Sequence, residues 1–147
     1  MRVDDGVACL VWRKVEDDIE YLILKRDKNW TGWELPKGHM EYGNHYATLL
    51  VELDEETGIR PTEVKEVFDL ERYVTWSFEE NGKEIISNFK AFSVEVDEDV
   101  EPTTELNPSD EHGDIKFVAK SEALELLEYP EQRELLEEES QEFLQGD

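Results

Sequence analysis

The chain has little of several things on which proteins commonly rely. One cysteine, Cys9, occurs in 147 residues, so no intrachain disulfide can form and no cysteine-cluster metal site can be built. Basic residues are scarce: 15 Lys plus Arg stand against 39 Asp plus Glu, a formal net charge of −24. A surface of that sign repels nucleic acid and anionic membrane, which argues against DNA as a partner and disfavours RNA. No apolar run approaches the roughly 18 residues of a membrane span. The opening MRVDDGVACL carries acids where a secretory signal carries basic and then apolar residues. The expectation is a cytoplasmic chain with no membrane partner.

What is present points to a packed core. The sequence is 38% hydrophobic and 10% aromatic, with four Trp, which argues against disorder despite the charge. Its length suits one domain over residues 1–147, burying about 70% of the surface of the unfolded chain. No repeat, low-complexity tract or Pro/Gly-rich linker divides it. The acidic excess has two readings: a salt-adapted, halophilic surface, or simply an acidic protein. Glu and Lys outnumber Asp and Arg, where a salt-adapted surface more usually favours Asp and Arg.

Apolar runs at Val7–Trp12 and at Tyr21–Leu24 predict a hairpin closed by the polar stretch 14–18. Residues 27–45 lose all periodicity and read as a loop. A helix follows over about 46–56, with an apolar stripe at Leu49, Leu50 and Leu53 and a stop at Gly58. Strands are expected at 64–70, 73–78 and 85–96, the last two joined through Asn81-Gly82, a strong hairpin signal. An acidic loop over 97–113 leads to a strand at 115–118. Ser121 can cap a short helix, and Pro130 can open a last one reaching about Leu144. This order suggests an α/β fold with a mixed sheet and helices on its faces.

The 46–56 helix breaks a local rule. Glu52, Asp54, Glu55 and Glu56 crowd its C-terminal turns, where the helix dipole disfavours acids by about 0.3–1 kcal/mol each. Like charges three and four residues apart cost a few tenths of a kcal/mol more per pair. Only Arg60 lies near enough in sequence to offset them. Glu52, Glu55 and Glu56 read as one face opposite the leucine stripe. A solvated acidic face explains this in so acidic a chain; a hard divalent cation explains it too, since Mg²⁺ binds through a few carboxylates and recruits phosphates. The preceding loop, Trp33-Glu34-Leu35-Pro36-Lys37-Gly38-His39-Met40-Glu41, adds a Gly, a Lys and a His that can face a phosphate.

This segment resembles the Nudix box, the loop–helix–loop catalytic motif of hydrolases acting on nucleoside diphosphates linked to another group. The family motif runs Gly, five residues, Glu, then later Arg-Glu, an apolar residue, any residue, Glu-Glu, any residue, Gly and an apolar residue. Gly38 matches the opening, and Glu52-Leu53-Asp54-Glu55-Glu56-Thr57-Gly58-Ile59 matches the close. Asn44 stands at the first Glu position and Val51 at the Arg position, and the stretch between Gly38 and Glu52 is one residue short. The run from Trp33 to Glu41, the Glu-Tyr-Leu-Ile-Leu strand, and Ser109, Glu111 and His112 are similar to the asymmetrical diadenosine tetraphosphate (Ap4A) hydrolases of that superfamily.

The resemblance implies a Nudix-type α/β/α sandwich and cleavage of a phosphoanhydride by water, with Mg²⁺ or Mn²⁺ as cofactor. It assigns the metal to Glu52, Glu55 and Glu56 with the Gly38 carbonyl. Glu55 would be the base on the attacking water, with Glu56 beside it and Glu111 as a further ligand or alternative base. Lys37 and His39 would hold substrate phosphates. Tyr73, Trp76, Phe78 and Phe89 lie on strands that can wall an adenine cleft, each also a fair core residue. The expected activity is Ap4A to ATP and AMP. Alternatives are a damaged nucleoside triphosphate, ADP-ribose, or a Nudix-fold nucleotide-binding module with weakened turnover, as Val51 and Asn44 suggest. Oligomeric state is not legible in the sequence.

Overall fold

The structure, a computed structural model, describes residues 1–26, 32–104 and 112–140. Strands β1 (Arg2–Val15) and β2 (Asp18–Arg26) form the expected hairpin, turning at Glu16 with φ 59°. Along β1, Val7, Cys9 and Val11 enter one buried cluster while Ala8, Leu10 and Trp12 enter another. A strand buried on both faces needs a continuous apolar run rather than an alternating one, and this is why residues 7–12 carry no polar side chain.

Beside β1 lies β6 (Lys83–Val96), paired in parallel from Arg2↔Ile85 to Trp12↔Glu95. The other pairings are antiparallel, so the sheet is mixed, in the order β3 (Gly32–Glu34), β2, β1, β6, β5 (Val64–Glu80). Strand β4 (Lys37–His39) pairs with β1 where β2 diverges, and β7 (His112–Ala119) pairs with β2. Helix α1 (His45–Thr57) covers one face through Leu49 and Leu53, packed with Val7, Cys9, Val11, Phe92 and Val94. Helices α2 (Lys120–Leu126) and α3 (Pro130–Glu139) cover the other through Ala123, Leu135 and Leu136. The result is the α/β/α sandwich expected from the sequence.

Four local expectations are corrected. The aperiodic stretch 27–45 contains β3 and β4, at three residues each too short to show a period. Residues 64–70 and 73–78 belong to one strand whose register breaks between Asp69 and Tyr73. There Glu71 takes φ 54° and its N–H donates to Asp69 Oδ1 at 2.8 Å, the geometry of a bulge. Ser121 is not a cap: α2 begins at Lys120, after Ala119, which makes no side-chain bond. Helix α3 stops at Glu139, with Ser140 extended at ψ 147°, short of Leu144. Its last turn carries three acids, and Arg72 from β5 reaches Glu138 at 2.8 Å, Glu139 at 3.1 Å and Glu134 at 3.8 Å. The Asn81-Gly82 turn holds as expected, both residues left-handed at φ 54° and 78°.

The α2–α3 region also pins the segment before β4. The Leu35 N–H donates to Gln132 Oε1 at 2.6 Å, and the Glu128 N–H to the Trp33 carbonyl at 3.2 Å. The Cys9 N–H donates to the Pro36 carbonyl at 2.9 Å. A buried backbone with its polar groups satisfied in this way makes a rigid platform.

Candidate active site

Helix α1 is closed at both ends by its own sequence. Asn44 is its N-cap, accepting the Ala47 N–H on Oδ1 at 2.8 Å, worth about 1 kcal/mol. At the other end Gly58 takes the left-handed φ of 73°; its N–H donates to the Asp54 carbonyl at 3.0 Å and the Ile59 N–H to Leu53 at 3.3 Å. Those bonds satisfy carbonyls the helix leaves open. No basic residue lies in the last turn.

Glu52 is 9% exposed and does not face away from the leucines, as the sequence reading expected. It packs beside them against β4. A Cβ on residue 38 would lie 2.2 Å from Glu52 Cδ and 2.5 Å from Oε2, so Gly38 is the gap into which the carboxylate fits. A carboxylate oxygen from each of Glu41, Glu52 and Glu55 lies within 4.8 Å of the others. The Glu41 N–H donates to Thr48 Oγ1 at 3.3 Å, which ties the loop to the helix.

The electrostatics match the crowding. Burial, first, then a hydrogen bond with Glu41 and the charges of Glu56, Glu41 and Glu55 push the Glu52 carboxyl up to about 8. Burial and then Glu52 also push the Cys9 thiol up. Three convergent oxygens, one desolvated and costly to ionise alone, are the donor set a hard divalent cation suits. The residues present fit such an ion. Glu56 presses on Glu52 by its charge but is not one of the three converging residues. Glu111 lies outside the described residues.

Strand β4 splits the other site candidates. Successive side chains of a strand point to opposite faces, so while position 38 meets Glu52, Lys37 and His39 face the other side. There Lys37 Nζ lies 5.4 Å from the Trp76 ring centroid and 3.5 Å from Glu34 Oε1. His39 sets its ring edge-on to Phe89 at 5.3 Å, with Nε2 3.6 Å from Asp4. Lys37 and His39 therefore gather with Trp76, not with the carboxylates.

The aromatic candidates divide in the same way. Tyr73, 49% exposed, lies opposite Lys90 on the α1 side of the sheet, while Trp76 is half-buried on the far side. Phe89 is 1% exposed, with Trp76 edge-on at 4.8 Å. Its ring belongs to the core and no base can lie on it, which corrects the expectation of Phe89 as a stacking surface. Two residues missed from the sequence are Glu41, whose place three residues after Gly38 was the available signal, and Glu34. A separate groove of about 480 Å³, lined by Arg13, residues 98–102 and residues 115–117, shares no residue with the carboxylate cluster.

A mixed sheet between helices, with a glutamate-bearing helix seated against Gly38 of β4, defines the class. The NUDIX domain profile matches residues 3–138, and the chain belongs to the Nudix family. It is a Nudix pyrophosphohydrolase, and it is similar to the asymmetrical bis(5'-nucleosyl)-tetraphosphatase of Rattus norvegicus, 30% identical over 124 residues, 82% of this chain and 78% of that one. Among solved structures, an Ap4A hydrolase of C. elegans in a binary complex superposes with a TM-score of 0.71 at 21% identity, over 91% of this chain and 93% of that one. The E. coli dihydroneopterin triphosphate pyrophosphohydrolase superposes at 0.74 and 15% identity, over 94% and 97%. These two likenesses establish the fold.

Proposed function

We propose that this chain hydrolyses diadenosine tetraphosphate to ATP and AMP, with Mg²⁺ held by Glu41, Glu52 and Glu55. The observation that carries the reading is the convergence of these three carboxylates beside Gly38. The likeness to the rat tetraphosphatase supports the choice of substrate. Attack of water on a phosphoanhydride is slowed by anionic repulsion, and a bound divalent cation neutralises phosphate oxygens and acidifies water. Glu52, buried and costly to ionise alone, is the anchoring ligand. Glu55, exposed at the rim of the cluster, is placed to take the proton from the attacking water. Glu56 keeps the local potential negative, which favours cation binding. Lys37 and His39, on the far side of β4, hold outlying phosphates. Tyr73 and Trp76, on opposite faces, are each accessible enough to take an adenine.

A second reading rests on Asn44 and Val51. Asn44 is spent on capping α1, and Val51 has no charge with which to orient a box carboxylate, so a binding module with weakened turnover is the competing outcome. Product chromatography after incubation of Ap4A with and without Mg²⁺ decides. ATP plus AMP supports the proposal, and ADP alone sinks the asymmetric cleavage. Tight binding with only slow turnover across a panel including ADP-ribose and oxidised nucleoside triphosphates favours the module.

A further inference from the structure

We propose that Glu34 is a positioning residue for Lys37: it holds the lysine ammonium ready to receive a substrate phosphate. This rests on the phosphate role proposed above for Lys37. Glu34 ends β3 and is 1% exposed. A buried carboxylate is tolerated only when paired, and Glu34 is paired through both oxygens. Oε2 accepts from Arg26 Nε at 3.3 Å, and Oε1 lies 3.5 Å from Lys37 Nζ. Arg26 is buried, whereas the Lys37 side chain is 18% exposed. Glu34 is thus the innermost of the three, with a cation on each side of it, and the Lys37 side chain is the most exposed.

On its other side the ammonium lies 5.4 Å from the Trp76 ring centroid. A carboxylate and a π face both attract the ammonium and restrict where it can go. An ammonium carries three donors, and its ion pair with Glu34 leaves them capacity for a phosphate oxygen. A lysine free to rotate loses much rotamer entropy when it grips a ligand. Glu34 removes that freedom before the ligand arrives, which is preorganisation in its ordinary sense. The backbone around Lys37 is already pinned by the Leu35–Gln132 and Cys9–Pro36 bonds and by the Ala8↔Lys37 pairing with β1. What remains to be decided is the direction of the side chain, and Glu34 is the residue that decides it.

The test is a double-mutant cycle read as affinity for inorganic pyrophosphate with Mg²⁺, by calorimetry on the full chain. That probe carries the phosphoanhydride common to every nucleotide considered, so the outcome does not depend on which one is cleaved. K37A is expected to weaken binding by about 10-fold and E34Q by about 5-fold, with E34Q adding less than about 2-fold in the K37A background. E34D, which keeps the buried charge beside Arg26 but shortens its reach to Lys37, is expected to behave like E34Q and serves the cycle if E34Q does not fold. A full, additive effect of E34Q or E34D on K37A overturns the positioning role alone, since a purely structural Glu34 would act without the lysine. Unchanged affinity in K37A, or no binding by the wild type, overturns the phosphate role of Lys37 and this proposal with it.

Discussion

Glu52 makes the metal-free protein less stable as pH rises, and the sign follows from its environment. Unfolded, its carboxyl titrates near 4.5; folded, burial and the surrounding acids push it up to about 8. Between those values the folded state holds a proton that the unfolded state has released, so the free energy of unfolding falls as pH increases. Below pH 4.5 both states are protonated and nothing is lost; above 8 the penalty is present in full. The slope is at most about 1.4 kcal/mol per pH unit. Water reaches the rim of the cluster, and with that screening a total of about 2 kcal/mol is expected, or roughly 4–8 °C in Tm for a chain of this size.

Glu52→Gln isolates this contribution, because the amide keeps the shape without the charge. The assay is thermal melting of both proteins, free of divalent ions, from pH 5 to 9. It is run in 1 M KCl, where the screening length falls to about 3 Å and the general repulsion among surface acids is suppressed. The wild-type Tm should fall over pH 5–8 while the variant stays nearly level, the two diverging by several degrees. Mg²⁺ should restore the wild type, and more so at pH 8.5 than at 6, because the ion must displace the proton. Parallel profiles for the two proteins between pH 5 and 8 would refute the reasoning, whatever their absolute stability.

Three other perturbations test separate parts of the site and its frame. Gly38→Ala places a Cβ 2.2 Å from Glu52 Cδ, so it should cost about 1–3 kcal/mol in a urea melt and abolish the rise in Tm that Mg²⁺ produces. Asn44→Ala removes the α1 cap and should cost about 1 kcal/mol, with Mg²⁺ affinity unchanged to within twofold in a calorimetric titration. Arg72→Ala frees Glu134, Glu138 and Glu139 from their shared cation; a loss of up to about 1 kcal/mol is expected in low salt. That loss should shrink in molar KCl, and a loss independent of salt would mean that Arg72 acts by packing.

The elements that could be read in advance are those whose period or turn chemistry is local. Residues 7–12 announce a strand because each of them is buried, and Asn81-Gly82 supplies the two left-handed residues its turn requires. Elements set by distant contacts left no such trace. Strands β3 and β4 exist because Leu24↔Glu34 and Val7↔Gly38 pair across the sheet, and three residues are too few to carry a period. The break at Leu70–Arg72 looks like two strands in sequence because a bulge and a turn use the same residues; only the resumed pairing at Tyr73↔Lys90 distinguishes them.

The carboxylates were legible because they violate helix electrostatics, but their direction was not. At 100° per residue Glu52 sits about 60° from Leu49 on the helix wheel, at the margin of the buried stripe, and charge alone would place it in solvent. What turns it inward is a missing side chain on another element, Gly38, a partner 14 positions away that no periodicity connects to it. Glu41 was seen in the motif but given no metal role for a related reason: a loop residue has no phase, and its backbone is tied to the helix by its bond to Thr48. The run from Pro36 to His39 invited a single role, yet a strand must send neighbours to opposite faces, so Gly38 meets the carboxylates while Lys37 and His39 meet Trp76 and Phe89. Among the described residues β4 pairs on one side only, with β1.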